Sequence, residues 1–544
     1  MNKKDLRLPD YRFGRVIEVD GNTITLRAEN LFTQTSPIYY CEVGAYVNCG
    51  GEHGNTLCIV NKIRIEEVQR YKSGTNELSY YTEEIKKVTL SIIGSIIDGA
   101  FDRGTSRLPT IGCHAYFLND EQINSIIGNN NKFSDEYFLV TDDEKEKVYL
   151  NLDKIVGRHT AILGTTGSGK SSTVASLIQS ILECYKHPRF VFFDLHNEYP
   201  AAFGHGGKEV TKLKEKTNCI SWGEFNLPYW FLNLEEFLEV FYPSAGASQE
   251  VALKEIIQEL KIENSNLSAD YKKRISADTP CFFKLEDLID KLKEKDEKNS
   301  PSKKEYTKII SRLESIYNDS RYIFLRRTES SKTTLSDYLK LMLGLHENQK
   351  YLNIYDLSGL PSEVRNVCIG VLSRLFFDFK FWDSDPESLP LAMVLEEAHS
   401  YIPENSDKKF SLCRERIERI AKEGRKYGIG LFVVTQRPSN ISTTVLSQCG
   451  TYITLRLTND VDQNKVQRLL PDTLAGQTDI LPSLRDGEAL ISGDGIKIPR
   501  RVKFKKPDPS PKSNDVRYHI SWKQGLPENH DINEVTTRWQ KMEK

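Results

Sequence analysis

Residues Gly164, Thr165, Thr166, Gly167, Ser168, Gly169, Lys170 and Ser171 follow the pattern GxxxxGK[ST]. Glycines at this density let successive backbone N–H groups turn inward and cradle phosphate oxygens. The apolar run HTAILG before the loop predicts a strand, and SSTVASLIQSIL after it has helical spacing. A loop that opens a helix adds the partial positive charge of the helix N-terminus. In this setting Lys170 neutralises the β- and γ-phosphates, the Ser171 hydroxyl holds Mg2+, and Ser172 continues the binding segment. The expected ligands are ATP and Mg2+.

A second pattern supplies the hydrolytic groups. The apolar run in LAMVLEEAH ends in adjacent carboxylates, Glu396 and Glu397. In a P-loop enzyme one acid supports the metal and the next polarises the attacking water, which assigns Glu396 to the metal side and Glu397 to the base. Gln436 follows the apolar run GIGLFVV, where its amide either senses the γ-phosphate or belongs to a turn. Asp194 ends the run RFVFFD and either acts near the metal or water or caps the following turn. Arg425 in AKEGRKYG is a candidate for a cation supplied to a neighbouring subunit's γ-phosphate, against a solvated helix end. Arg456 and Arg468 are its rivals.

These residues need a scaffold, and the chain is long enough to provide one. Its 544 residues suggest three or four structural units. Residues 1–150 are rich in short strand patterns, including RVIEV and TITLRA around Asp20-Gly21-Asn22, which reads as a hairpin. They predict a small N-terminal β-barrel domain. Residues 151–229 and 346–504 alternate strand and helix as a parallel α/β core does. Strands are expected at RFVFFDL, YLNIYDL, LAMVL, GIGLFVV and TYITLRL. Residues 230–345 interrupt that rhythm with amphipathic segments such as SQEVALKEIIQELK and read as a helical insertion. Residues 505–544 read as a Pro/Ser/Lys linker and a tail carrying Trp522 and Trp539. The charged stretches 141–147 and 293–306 read as a turn and a solvated connector.

Composition narrows the function. Lys and Arg number 74 against 76 Asp and Glu, so the formal net charge of −2 excludes a uniformly basic nucleic-acid coat. The ten cysteines include no CxxC pair, which argues against a zinc or redox site and for reduced thiols in the cytoplasm. The first fourteen residues do not read as a signal peptide, and no run approaches the roughly 20 apolar residues of a membrane helix.

With these residues in view, the chain resembles the HerA family of hexameric ATPases, relatives of the FtsK translocases. The resemblance rests on GRHTAILGTTGSGKSST, DLHNEY, YDLSGLPSEVRNVCIGVLSRL, VLEEAHSYIP, RIAKEGRKYGIGLFVVTQRPSN and LRDGEALISG, in that order over about 151–505. It implies a RecA-like P-loop ATPase core with an inserted helical bundle and an N-terminal barrel, assembled as a homohexamer, with a C-terminal segment bracing a neighbour. It implies functional roles for Lys170, Asp194, Glu397 and Arg425 and a sensor role for Gln436. Leu195 and Asn197 depart from the Pro and Gly often found in the family, which puts the local turn in question.

Two functions follow. The first is a DNA translocase or helicase with double-stranded DNA in the central channel, for which Lys272, Lys273 and Arg274 are candidate pore cations against the commoner reading of such a triplet as a solvated helix face, working with a partner nuclease in anti-phage defence or in DNA-end processing. The second is an ATP-gated scaffold that activates an effector, a nuclease or a sirtuin-like NADase, docked on the N-terminal domain. The chain carries no recognisable nuclease or NAD motif of its own. A conjugation ATPase is disfavoured by the missing membrane segment, and an ABC ATPase by the missing LSGGQ-like signature.

Overall fold

The computed structural model describes the chain except for residues 1–10, 33–39, 52–53, 74–77, 105–107, 128–134, 142–146, 207–209, 299–305, 328–333, 347, 406–410, 471–474, 514–516, 526, 528–529 and 542–544. Much of the N-terminal stretch, the 141–147 turn and the 293–306 connector, and the end of the Pro/Ser/Lys stretch, lie outside the described residues. The chain divides into two compact units. One runs to Ser176 and includes Thr435–Ser439 and Cys449–Lys506; the other holds Leu177–Val434, Asn440–Gln448 and the chain from Pro507 onward.

The first unit opens with seven strands: β1 (Arg12–Asp20), β2 (Thr23–Ala28), β3 (Tyr46–Gly51), β4 (Gly54–Ser73), β5 (Leu78–Ile97), β6 (Ala100–Asp102) and β7 (His114–Phe117). Their order is β2-β1-β7-β3-β4-β5-β6, and β2 also pairs with β5, so the pairings return on themselves. The expected β1–β2 hairpin is present, with Asp20 opposite Thr23 and Gly21 at a φ of +53° in the turn. Phe13, Ile24, Leu26, Val47, Val60, Val88, Leu90 and Phe117 form its core. The strand pattern at 87–96, within β5, therefore belongs to the same sheet as those in 9–75. β4 and β5 are each 20 residues, longer than their apolar patterns suggest. Their outer halves lack the alternation that one buried face would impose, and ion pairs such as Arg70 with Glu83 (2.5 Å) join them instead. Strands β8 (Tyr137–Leu139) and β9 (Tyr149–Asn151) form a separate antiparallel pair. β10 (Thr160–Leu163) leads into the glycine loop.

The second unit holds β11 (Phe190–Asp194), β12 (Thr217–Ile220), β13 (Leu352–Asp356), β14 (Leu391–Leu395) and β15 (Ile429–Thr435, whose last residue belongs to the first unit). They are parallel in the order β12-β13-β11-β14-β15. β11, β13, β14 and β15 are buried at every position, as strands covered on both faces must be. Between β12 and β13 lie helices that include Leu234–Phe241, Ala247–Asn264, Leu285–Lys298, Thr307–Asn318 and Leu335–Met342. The first has a capping box, Asn233 accepting from the Glu236 N–H while Glu236 accepts from the Asn233 N–H. The Glu236 carboxylate also takes a two-pronged pair from Arg374 on the helix Ser362–Phe381, at 2.7 and 2.8 Å.

The last strands return to the first unit. β16 (Thr451–Thr454) runs parallel to β10, whereas β17 (Glu488–Gly493) and β18 (Arg500–Lys503) add antiparallel pairings. The Pro/Ser/Lys stretch is seated rather than free. Pro507, Pro509 and Pro511 are buried, and the Gln179 side chain donates to the Pro509 carbonyl (2.9 Å) and accepts from the Asp508 N–H (3.2 Å). The tail helices Tyr518–Gln524 and Ile532–Lys541 bury none of their described residues.

Removing one partner of a buried ion pair strands the other charge. Glu236→Ala is therefore expected to destabilise the second unit by about 3–5 kcal/mol, measured as a lower urea midpoint at unchanged m-value.

Candidate nucleotide site

The loop Gly164–Ser171 leaves β10 and enters the helix Lys170–Cys184. Its backbone takes a φ of +75° at Gly167 and +89° at Gly169. At Gly169 a Cβ would lie 2.7 Å from the Gly487 nitrogen, so both the dihedral and the space require glycine. External groups fix the loop at almost every step. The Gly164 N–H donates to the Thr435 carbonyl (3.3 Å), and the Thr165 N–H to the Arg456 carbonyl (3.0 Å). The Ser168 carbonyl accepts from the Gly487 N–H (2.9 Å), and the Gly167 carbonyl from the Arg456 guanidinium (3.2 Å). The Thr166 hydroxyl donates to the Gln436 side-chain oxygen at 2.5 Å. Lys170 is buried at the head of the helix, and Ser171 and Ser172 are half-buried beside it.

In the second unit the acids gather at the carboxyl ends of the strands, where open α/β sheets bind ligands. Asp194 ends β11 and lies in register with Asp356 at the end of β13. It is fully buried, and its carboxylate accepts from the backbone N–H groups of His196 (3.1 Å), Glu198 (3.3 Å) and Tyr199 (3.0 Å). Burial pushes its pKa up to about 6, against the pull of those three donors and with a further push from Asp356. These three hydrogen bonds cap the turn that follows β11. Asn197 closes this turn at a φ of +58°, which shows how the chain keeps it without a glycine: asparagine is among the few residues that visit this region readily.

Glu396 and Glu397 follow β14 directly and are both buried. Glu397 has a φ of +47°, a conformation that costs a residue with a Cβ about 1–3 kcal/mol and that recurs at functional sites. The turn is secured by Ser400 and Tyr401. The Ser400 hydroxyl and N–H donate to the Glu397 carbonyl (2.8 and 2.9 Å), and the Tyr401 hydroxyl donates to the Glu396 carbonyl (3.1 Å). His399 Nδ1 lies 3.1 Å from the Glu397 carboxylate.

The first unit thus brings Gly164–Ser172 together with Gln436 and Arg456, and the second sets Asp194, Glu396 and Glu397 along one edge of its sheet. Arg425 is elsewhere. It is exposed on the turn Gly424–Tyr427, which precedes the amino end of β15, whereas Glu397 follows the carboxyl end of the neighbouring β14. Seven strand residues separate those edges by about 20 Å. Arg468 is exposed on the helix Asp460–Leu469. Sequence reasoning did not single out Asp356, His399, Asp486 or Gly487. Asp356 carries a visible signal, as the second acid to end a buried strand; Gly487 carries none, because its partner at Ser168 is remote in sequence.

A buried α/β core with a strand–glycine loop–helix unit ending in GKS defines a P-loop ATPase. Comparison with known proteins agrees. The family model for the central domain of helicase HerA matches residues 138–376, and that for the HerA-like helicase C-terminal region matches 356–504. The chain is 27% identical over 501 residues to a probable helicase of Methanocaldococcus jannaschii, covering 86% of this chain and 87% of that one. It is 26% identical over 522 residues to the DNA double-strand break repair helicase HerA of Sulfolobus acidocaldarius, covering 94% and 92%. Among solved structures, VirB4 of Thermoanaerobacter pseudethanolicus is similar with a TM-score of 0.49 and 16% identity, over 72% of this chain and 99% of that one. The chain belongs to the HerA family.

Two predictions follow from the carboxylates. Asp194 binds a proton more tightly folded, with a pKa of about 6, than unfolded, near its ordinary 3.8. Its contribution is present below the lower value and is lost as pH rises through the higher one. Relative to Asp194→Asn, the wild type should lose about 2–3 kcal/mol between pH 4 and pH 7, most of it by pH 6, and almost nothing further above; denaturant midpoints across that range read it directly. Glu397→Gly relieves the positive φ, so it should be about 1 kcal/mol more stable than Glu397→Ala in the same assay, with neither variant hydrolysing ATP.

Proposed function

We propose that the chain is the subunit of a homohexameric, cytoplasmic ring that hydrolyses ATP with Mg2+ and moves double-stranded DNA, working with a partner nuclease or other defence effector such as a sirtuin-like NADase in anti-phage immunity. The observation that carries the reading is the loop Gly164–Ser171, externally fixed at five of its residues, in a chain whose β14 ends in two buried carboxylates.

Each residue has a role in that reaction. Gly164, Thr165, Thr166, Gly167, Ser168 and Gly169 wrap the phosphates, Lys170 neutralises them, and Ser171 and Ser172 complete the contact. The Ser171 hydroxyl and the Glu396 carboxylate are each hard oxygen donors of the kind Mg2+ requires, and they are the residues that would hold it. When bound, Mg2+ would supply screening of the charge that develops on the phosphates. Glu397 takes the proton from the attacking water, oriented by its left-handed turn and His399. Gln436, already bonded to Thr166, reports what occupies the loop. Asp194 holds the turn after β11 and, through it, the edge on which the acids stand.

Arg425 supports assembly as a ring. At the opposite sheet edge from Glu397 it is poorly placed to serve its own chain's acids, whereas an exposed cation there suits a neighbour's nucleotide. The return of the β2-β1-β7-β3-β4-β5 pairings onto β2 fits a small barrel, and that domain is the proposed docking surface for the effector. The α/β strands fit a RecA-like core, and the helices between β12 and β13 fit its inserted bundle. The family's DNA double-strand break repair helicases support duplex DNA as the substrate.

The test uses the purified full chain. Mass measurement should give a hexamer, and a monomer at working concentration would overturn the proposal. Lys170→Ala should lose ATP binding and turnover. Glu397→Ala should bind ATP while turnover falls at least about 100-fold, and loss of binding there would contradict its role. Rings mixed from Arg425→Ala and Lys170→Ala subunits should regain part of the turnover that neither has alone.

A further inference from the structure

Arg456 meets the phosphate loop twice. Its main-chain carbonyl accepts from both the N–H and the hydroxyl of Thr165, each at 3.0 Å. Its guanidinium donates to the Gly167 carbonyl at 3.2 Å and pairs with the Asp486 carboxylate at 2.8 Å. The two contacts straddle Thr166, the residue bonded to Gln436. Asp486 belongs to the same brace: the next residue, Gly487, donates its N–H to the Ser168 carbonyl, and Lys503 donates to the Asp486 carbonyl.

The arrangement solves a definite problem. With two glycines at positive φ the loop has no regular ladder to hold its shape. A carbonyl that swung toward a phosphate would repel it, so each carbonyl must be pinned away. Arg456 and Gly487 pin those of Gly167 and Ser168. The planar guanidinium can serve a carbonyl and a carboxylate together, which an ammonium of one point charge does less well. Asp486 keeps Arg456 turned to the loop instead of to the phosphates.

We propose that Arg456, oriented by Asp486, is a positioning residue that acts on its own chain's nucleotide site by fixing the crest of the phosphate loop. The proposal rests on the reading of Gly164–Ser171 as the ATP loop, and it removes Arg456 as a rival to Arg425 for action on a neighbour.

The test compares wild type, Arg456→Ala, Arg456→Lys and Asp486→Asn. A charge-assisted hydrogen bond is worth enough to expect the KM for ATP, and the Kd for a non-hydrolysable ATP analogue, to rise about tenfold in Arg456→Ala. kcat at saturating ATP and the apo melting temperature should change little, which separates positioning from a loss of fold. Arg456→Lys should recover only part of the affinity, and Asp486→Asn should weaken it about threefold. Unchanged affinity in Arg456→Ala overturns the proposal. If that variant does not fold, Asp486, whose side chain is 70% exposed, carries the test, and unchanged affinity in Asp486→Asn overturns it. Rings mixed from Arg456→Ala and Lys170→Ala subunits should stay weak in ATP affinity, and recovery would show action on the neighbour. A wild type that binds no ATP analogue would instead defeat the reading of the loop itself.

Discussion

A phosphate loop must present N–H groups inward while its carbonyls face away, a shape no free peptide keeps. That constraint governs the first unit. β10 delivers the loop, β16 ends two residues before Arg456, and β17 begins one residue after Gly487. The antiparallel pairing of β16 with β17, with Thr454 opposite Leu490, brings Arg456 and Asp486 to the same end of the sheet. The strands that look peripheral to the chemistry are the ones that set the loop's shape.

The second unit meets a related demand with different means. Its acids must be buried enough to act in a low dielectric yet held so that they do not wander. Parallel strands place Asp194, Asp356 and Glu396 along one edge through register alone. Backbone donors then hold Asp194, while a left-handed turn holds Glu397. The same sheet sends Arg425 to its other edge, so one layer presents acids on one side and an exposed cation on the other.

Much of this was legible because the signals are local. GxxxxGK[ST] names its own chemistry, and runs such as FVFF, LAMVL and IGLFVV have no polar position to leave exposed, so they read as doubly covered strands. Features that depend on distant partners were not legible. In the described outer part of β4, residues 61–70, no side chain is fully buried, so no apolar alternation is imposed there. The proline stretch after 505 resembles a linker until Gln179 is seen to hold it. Arg456 read only as a rival to Arg425, since its carbonyl and carboxylate partners lie far off in the chain. Asn197 was read as a departure from the usual glycine, and its positive φ shows that the turn itself is retained.

The account's central claim is that this nucleotide site drives movement along DNA. The most direct measurement is the ATPase rate of the purified full chain with and without double-stranded DNA, across a salt series. The account predicts stimulation by duplex DNA that fades steeply as salt rises, because contacts to the phosphate backbone release counterions. An ATPase rate indifferent to DNA at every salt concentration, with no salt-sensitive binding, would contradict it.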